Sequence, residues 1–362
     1  MNSCVRGTAL ALAVVSTAVS LASCGSGAGD TSGPGSARTI GVLLPDSTTA
    51  RWEARDRPLL EQRIRQLCGD CTIEHADAKG DVAIQQEQMD ASIAHGVDAI
   101  VLAAVDARAI GASVRRAAAA HIPVIAYDRL AEGPISGYVS YDGQEVGRLQ
   151  GKALLTAMGA KAHGGRIVMM NGDPGDPNAL SFKQGALSEL QGKVTIAKQY
   201  DTPLWSRQTA ALNMSGAISA LGADRIDGVY AANDGLAAGS IAALRADKVS
   251  PLPPVTGQDA ELSAVRRIVG GEQYMTVYKP FGPEAAAGGA MAVAAARGQR
   301  LDAVATRRVK TRSGAEVPAV LLTPVSVTLA TIKGTLVKDG VYTLGQICAP
   351  PLAGDCHKAG LT

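Results

Sequence analysis

Several short stretches place charged or amide side chains directly behind apolar runs. Arg51 and Trp52 come after "TIGVLLP", Asp128 and Arg129 close "PVIAYDR", and Asp176 and Asn178 lie in "NGDPGDPN". Asn233 sits in "AANDG", Asp259 in "TGQDA" and Lys279 in "VYKP". Carboxylates and amides that accept hydrogen bonds, interleaved with cations that donate them, suit a ligand whose hydroxyls do both. Burying such a ligand costs free energy unless each hydroxyl is paired, and charged partners make the stronger bonds. Trp52 and Trp205, the only 2 tryptophans of the chain, are suited to cover the apolar C–H face of a ring. The inventory is that of a site for a small neutral sugar.

Each of these residues also has a plainer use. Asp128, Asp176 and Asn178 are common as helix caps and turn residues, Arg51 and Lys279 as solvated charges, and both tryptophans as core. Recurrence of the pattern behind one strand after another favours a site. Motifs for catalysis are missing: there is no G-x-S-x-G elbow, H-E-x-x-H, Walker loop or strand-borne G-x-G-x-x-G. The 5 histidines are scattered without ligand spacing. Asp128 with Asp176 or Asp259 could supply a glycosidase pair, but the adjacent cations would keep both carboxylates ionised and remove the general acid. The expectation is binding without catalysis, with no cofactor and no metal.

The elements that must carry these side chains alternate. "AIVLAAV", "PVIAYD" and "RIVMMNG" are nearly continuous apolar runs. Between such runs lie amphipathic stretches such as "AIQQEQMDASIAHG" and "RQTAALNMSGAISALG", the latter ending on Gly222. Continuous apolar strands alternating with helices predict parallel sheets covered on both faces. There are enough units for two sheets, one before roughly Tyr138 and one after it. Ligands of open parallel sheets bind beyond the carboxyl ends of the strands, where the polar residues collect, so two facing sheets would set them around one cleft.

With 362 residues, the chain is long enough for two ordinary domains. Its 35 basic and 33 acidic residues leave a net charge of +2, without the basic block that nucleic acid would need. Residues 1–23 read as a signal peptide, too short to span a bilayer comfortably. "LASC" at its end resembles a bacterial lipobox, which favours Cys24 as a lipidated first residue over a plain signal peptide. "GSGAGDTSGPGSAR" then reads as a flexible tether, giving an extracytoplasmic, membrane-anchored protein. Cys68, Cys71, Cys348 and Cys356 remain. Cys68-Gly-Asp-Cys71 lacks the partners of a zinc site, and a thioredoxin motif would open a helix rather than end one. Outside the cytoplasm, proximity predicts Cys68–Cys71 and Cys348–Cys356 disulfides.

The stretches "ARWEARD", "VIAYDR", "YVSYDGQEVGRLQGKAL", "AANDGLAAGSIAAL", "TGQDAELSAVRRIVGGEQYMTVYKP" and "VPAVLLTPVSV" resemble those of sugar-binding proteins of bacterial ABC importers. Within the ribose/galactose-type class, the chain is most similar to D-xylose-binding proteins and multiple-sugar receptors, from about Thr39 to Tyr342. The resemblance implies a type I periplasmic binding protein of α/β class: two Rossmann-like lobes with parallel sheets, joined by a hinge. Residues 24–37 would be the anchor and linker, and 346–362 a tail. Lobe one would hold 38–138 plus about 280–300, and lobe two 139–279 plus about 301–345. It implies sugar contacts from Arg51, Trp52, Asp128, Arg129, Asn233, Asp259 and Lys279, with Trp205 as the second stacking wall and Asn178 retained in the strand-end turn beside Asp176. It also implies a monomer that closes on a monosaccharide, D-xylose first, and delivers it to an ABC permease. A membrane sensor could use the same fold; a repressor is disfavoured, because an export signal stands where its DNA-binding helices would be. One departure is "DPNA" where xylose binders tend to read "DNNA": Pro177 removes a side-chain amide and a backbone donor, which bears on the choice of sugar.

Overall fold

Apolar runs make the strands, and the polar-faced stretches between them make the helices. The computed structural model describes residues 37–361; the signal-like segment and Cys24 lie outside the described residues. In the first part of the chain β1 (Thr39–Leu44), β2 (Thr72–Asp77), β3 (Ala99–Leu102), β4 (Val124–Tyr127) and β5 (Gly137–Tyr141) accompany α1 (Arg57–Leu67), α2 (Val82–His95) and α3 (Gly111–Ala119). A second series holds α4 (Gly143–Met158), β6 (Arg166–Met170), α5 (Pro177–Leu190), β7 (Thr195–Tyr200), α6 (Arg207–Leu221), β8 (Gly228–Ala231), α7 (Asp234–Ala246), α8 (Leu262–Val269) and β9 (Met275–Tyr278). The chain then returns through α9 (Phe281–Ala296), β10 (Arg307–Lys310), β11 (Glu316–Leu322) and β12 (Val325–Thr328).

The first sheet runs β10-β11-β5-β4-β3-β1-β2 and is parallel except for the β10–β11 edge pair. Its central strands β3, β4 and β5 are buried along their whole length, which is why β3 and β4 read as unbroken apolar runs. One face packs on α1 and α9, the other on α2 and α3. The second lobe has the parallel set β7-β6-β8 and the antiparallel pair β9–β12. The segment around Val255 joins them, bridging to Val229 on one side and accepting from Tyr274 N–H on the other.

One expected boundary does not hold. The expected second lobe includes about 301–345, yet within that range β11 pairs with β5 in the first sheet and carries β10 at its edge. Val317, Ala319 and Val320 are buried there, and only β12 continues into the second lobe. The strand β5 also straddles the boundary placed at 138/139. The chain therefore passes between lobes after β5, after β9 and after β11.

The Cys68 and Cys71 sulfurs are bonded at the C-terminal end of α1, and those of Cys348 and Cys356 in the last segment. That segment includes α10 (Leu344–Ile347) and α11 (Ala353–Lys358). It buries Leu336, Ile347, Cys356 and Leu361 against Val265, Ile268 and Phe281, so it is packed onto α8 and the start of α9 rather than trailing as a tail.

Candidate functional site

The polar residues at the strand ends converge on one pocket. Arg51, Trp52, Asp128, Arg129, Asp176, Asn178, Trp205, Asn233, Asp259 and Lys279 all line it, together with Thr49, Phe182 and Gln258. About 290 Å³ of non-atom space lies among these side chains, part of it open to solvent. The lobes meet around it: Arg129 Nε lies 2.8 Å from Asp176 Oδ2, and Asn178 Nδ2 donates to Asp128 Oδ1 at 2.8 Å.

Arg51 is the hub on the first lobe. Just past it, Trp52–Asp56 is wound as a π-helix, with Arg57 N–H donating to Trp52 C=O. Pro58, at the start of α1, has no N–H to continue an ordinary ladder there. The wider turn lets Asp56 reach back, so Arg51 Nε and Nη2 donate to its two oxygens at 2.7 and 2.8 Å. Arg51 Nη2 also donates to Glu284 Oε2 and Nη1 to Asp128 Oδ2, each at 2.7 Å. Tyr127 Oη completes the set by donating to Asp56 Oδ1 at 2.6 Å.

Asp128 follows β4 in the left-handed region, with φ 59°. Its backbone oxygen accepts from Tyr138, Ser140 and Asn178, which holds a conformation that aspartate adopts at a cost. Asp259 and Ala260, φ 93° and 49°, present the opposite carboxylate in the same way. Lys279, at the end of β9, lies between them, 3.1 Å from Asp128 Oδ2 and 3.4 Å from Asp259 Oδ1.

Charge balance keeps Asp128, Lys279 and Arg51 ionised. Burial would push the Asp128 carboxyl up, but Lys279, Arg51 and Arg129 outweigh it and hold it well below the usual carboxylate range. Burial would likewise lower Lys279 and Arg51, and the surrounding carboxylates reverse the sign for both. Asp128 is therefore not a proton donor at neutral pH. Asp176 is raised by burial, with Arg129 opposing and Asp128 adding to the rise.

The aromatic walls are fixed by polar neighbours. Trp52 is buried, with the guanidinium groups of Arg51 and Arg129 4.5 and 5.4 Å from its ring centroid. Trp205 Nε1 donates to Asp176 Oδ2 at 3.2 Å, and its ring meets Phe182 at 6.4 Å with a 58° tilt. On residues that line this pocket, Trp52 Nε1, Gln258 Oε1 and Asp259 Oδ1 are buried without a hydrogen bond, Asp259 Oδ1 lying 3.4 Å from Lys279 Nζ. Among well-packed groups such atoms are uncommon, and these comprise one donor and two acceptors.

The plainer uses coexist with the site. Asp176 caps α5 through Asn178 N–H, and Asn233 caps α7 through Leu236 N–H. Asp176 spends both oxygens on the cap, Arg129 and Trp205, so its part is to hold neighbours in place. Pro177 occupies the first turn of α5, where a backbone N–H has no helical acceptor; its loss therefore removes no internal bond. Sequence reasoning missed Phe182, one turn beyond Asn178 on α5, and Gln258, next to Asp259. It missed Asp56 because an α-helix places positions five apart about 140° from each other. Glu284 carries no local signal at all.

Residues 40–300 match the model of the periplasmic binding protein domain. The chain belongs to that family. It is 33% identical over 314 residues to a D-xylose-binding periplasmic protein of Escherichia coli (strain K12), covering 85% of this chain and 92% of that one. It is 33% identical over 335 residues to a multiple sugar-binding periplasmic protein of Azospirillum brasilense, covering 85% and 90%. Among solved structures, an ABC transporter solute-binding protein of Clostridium phytofermentans with bound β-D-glucose superposes with a TM-score of 0.79 at 27% identity, covering 86% of this chain and all of that one. These relatives of the periplasmic binding protein are ligand carriers by name, in keeping with a pocket whose carboxylate at the centre stays ionised.

Proposed function

We propose that this protein is the extracytoplasmic sugar-binding component of an ABC importer, taking up one neutral monosaccharide between its lobes. The observation that carries the reading is the Arg51–Asp128–Lys279–Asp259 ion cluster beside Trp52 Nε1, Gln258 Oε1 and Asp259 Oδ1, which are buried without hydrogen bonds. Hydroxyls that donate to the carboxylates and accept from the cations and the indole would satisfy both sets. Trp52, Phe182 and Trp205 supply apolar surface for ring C–H bonds.

D-Xylose is the ligand we propose, on the strength of relatives named for it. D-Glucose has the same configuration at the three carbons bearing ring hydroxyls, so an added hydroxymethyl group is the feature that would separate the two. The ligand selects the closed form because only that form pairs its hydroxyls from both lobes, and the closed protein then docks on a permease as a monomer. In the same reading, Cys24 carries the lipid anchor, and the Cys68–Cys71 and Cys348–Cys356 disulfides persist in the oxidising exterior.

The test is calorimetric titration of the protein with D-xylose, D-glucose, D-galactose, D-ribose and L-arabinose. Micromolar or tighter binding of D-xylose supports the assignment. Preference for D-glucose keeps the function and moves the specificity. Binding of none of the five refutes the sugar assignment.

A further inference from the structure

The turn at residues 257–261 carries two of the pocket's acceptors, Gln258 and Asp259, on a backbone that is left-handed at Asp259 and Ala260. Such a conformation persists only where surrounding structure over-determines it. Two residues outside the pocket supply that constraint. Asp234, fully buried, accepts Glu261 N–H on Oδ2 at 2.9 Å, while its own N–H donates to Gln258 C=O at 2.9 Å. Its carboxylate also accepts from Gln273 Nε2 at 2.8 Å and Thr276 Oγ1 at 3.0 Å, and Thr276 Oγ1 in turn accepts Ala260 N–H at 3.1 Å. At Gly257 a Cβ would overlap Asp234 Oδ1, so the approach depends on glycine. From the other side, Tyr342 Oη donates to Ala260 C=O at 3.0 Å. Tyr342 is itself tied to the first lobe: Arg55 lies over its ring at 5.2 Å and donates to Val341 C=O at 2.8 Å.

We infer that Asp234 and Tyr342 are positioning residues for the sugar site: between them they hold the Gln258–Asp259 turn in its left-handed form and so aim both acceptors into the pocket. Asp234 does this from within the second lobe, adjacent to Asn233, which lines the same pocket. Tyr342 does it from the C-terminal segment, giving that segment a part in ligand affinity. The inference rests on the sugar-binding reading for the ligand, whereas the constraint on the turn can be measured without one.

The experiment compares the full chain with Asp234→Asn and Tyr342→Phe. D-Xylose and D-glucose affinities are read by calorimetry, and amide hydrogen exchange is read in the sugar-free proteins. Tyr342→Phe removes one hydroxyl and keeps the ring, and the loss of one hydrogen bond should weaken binding about 3- to 10-fold. Asp234→Asn sets an amide against its donors and should weaken binding at least about 10-fold. In both, exchange at Asp259, Ala260 and Glu261 should quicken while β6 and β8 keep wild-type protection. Unchanged affinity with unchanged exchange at the turn overturns the inference. So does exchange that quickens uniformly across the second lobe, which would mark a role in overall stability alone. If the wild type binds neither sugar, the sugar reading fails, and exchange at the turn still decides whether the two residues hold it.

Discussion

At the scale of single residues, the site separates groups that touch a ligand from groups that hold those groups still. Arg51 spends its donors on Asp56, Asp128 and Glu284, so its main product is a fixed Asp128 carboxylate. Arg51→Met should leave buried Asp56 and Asp128 short of their guanidinium partner and cost about 3–5 kcal/mol of stability, read by urea unfolding. Asp259 is the contrasting case, because its Oδ1 has no hydrogen bond within the protein. Asp259→Ala should cost roughly 2–4 kcal/mol of sugar binding, read by calorimetry. Both tryptophans of the chain line the pocket, so tryptophan fluorescence, excited selectively over the tyrosines, reports on the site. Saturating sugar should change its intensity or wavelength, and an unresponsive spectrum during calorimetrically observed binding would place the ligand elsewhere.

At the scale of elements, α5 delivers more of the site than its sequence announces. Asp176 caps it, Asn178 reaches Asp128 across the cleft, and Phe182 lies one turn on. The helix is seated by close approach to α4, where a Cβ on Gly147 would overlap the Phe182 carbonyl oxygen. Gly147→Ala should therefore push α5 outward, destabilise by about 1–3 kcal/mol through overpacking and weaken sugar binding at the same time. Thermal unfolding and calorimetry on one preparation check the two effects together. Apolar runs and their alternation with helices made most elements legible in the sequence, since buried strands must be apolar on both faces. The departure came at β10 and β11, short strands whose partner is chosen by where α9 delivers the chain, and no local pattern encodes that.

At the scale of the molecule, one buried charge cluster sits where the lobes and their connections meet. Burial pushes Glu284 from its ordinary 4.5 up to about 8, against the pull of Arg51 and with Asp128 and Asp56 adding to the rise. The unfolded chain releases that proton near 4.5 and the folded chain holds it to about 8, so this group's contribution to stability is lost as pH rises through that interval. Melting temperature should consequently decline between pH 5 and 8, and Glu284→Gln should flatten the decline. A slope unchanged in the variant would assign it to another group. Asp128 acts in the opposite sense: its carboxyl is depressed when folded, so its contribution is present above its ordinary value of 3.8 and fades as pH falls below it.

The sequence alone determined the alternating α/β class, the polar strand ends and ten of the thirteen residues that line the pocket, because each depends on a residue type at a local position. Trp52, Asp128 and Asp259 stand out beside a strand whatever the rest of the chain does. Only the tertiary structure decided who holds them. Glu284 meets Arg51 from 233 positions away, Tyr342 meets Ala260 from 82, and Asp234 meets Thr276 from 42. Contacts at such separations follow from how packed sheets and helices return the chain, and periodicity along one stretch holds no record of them.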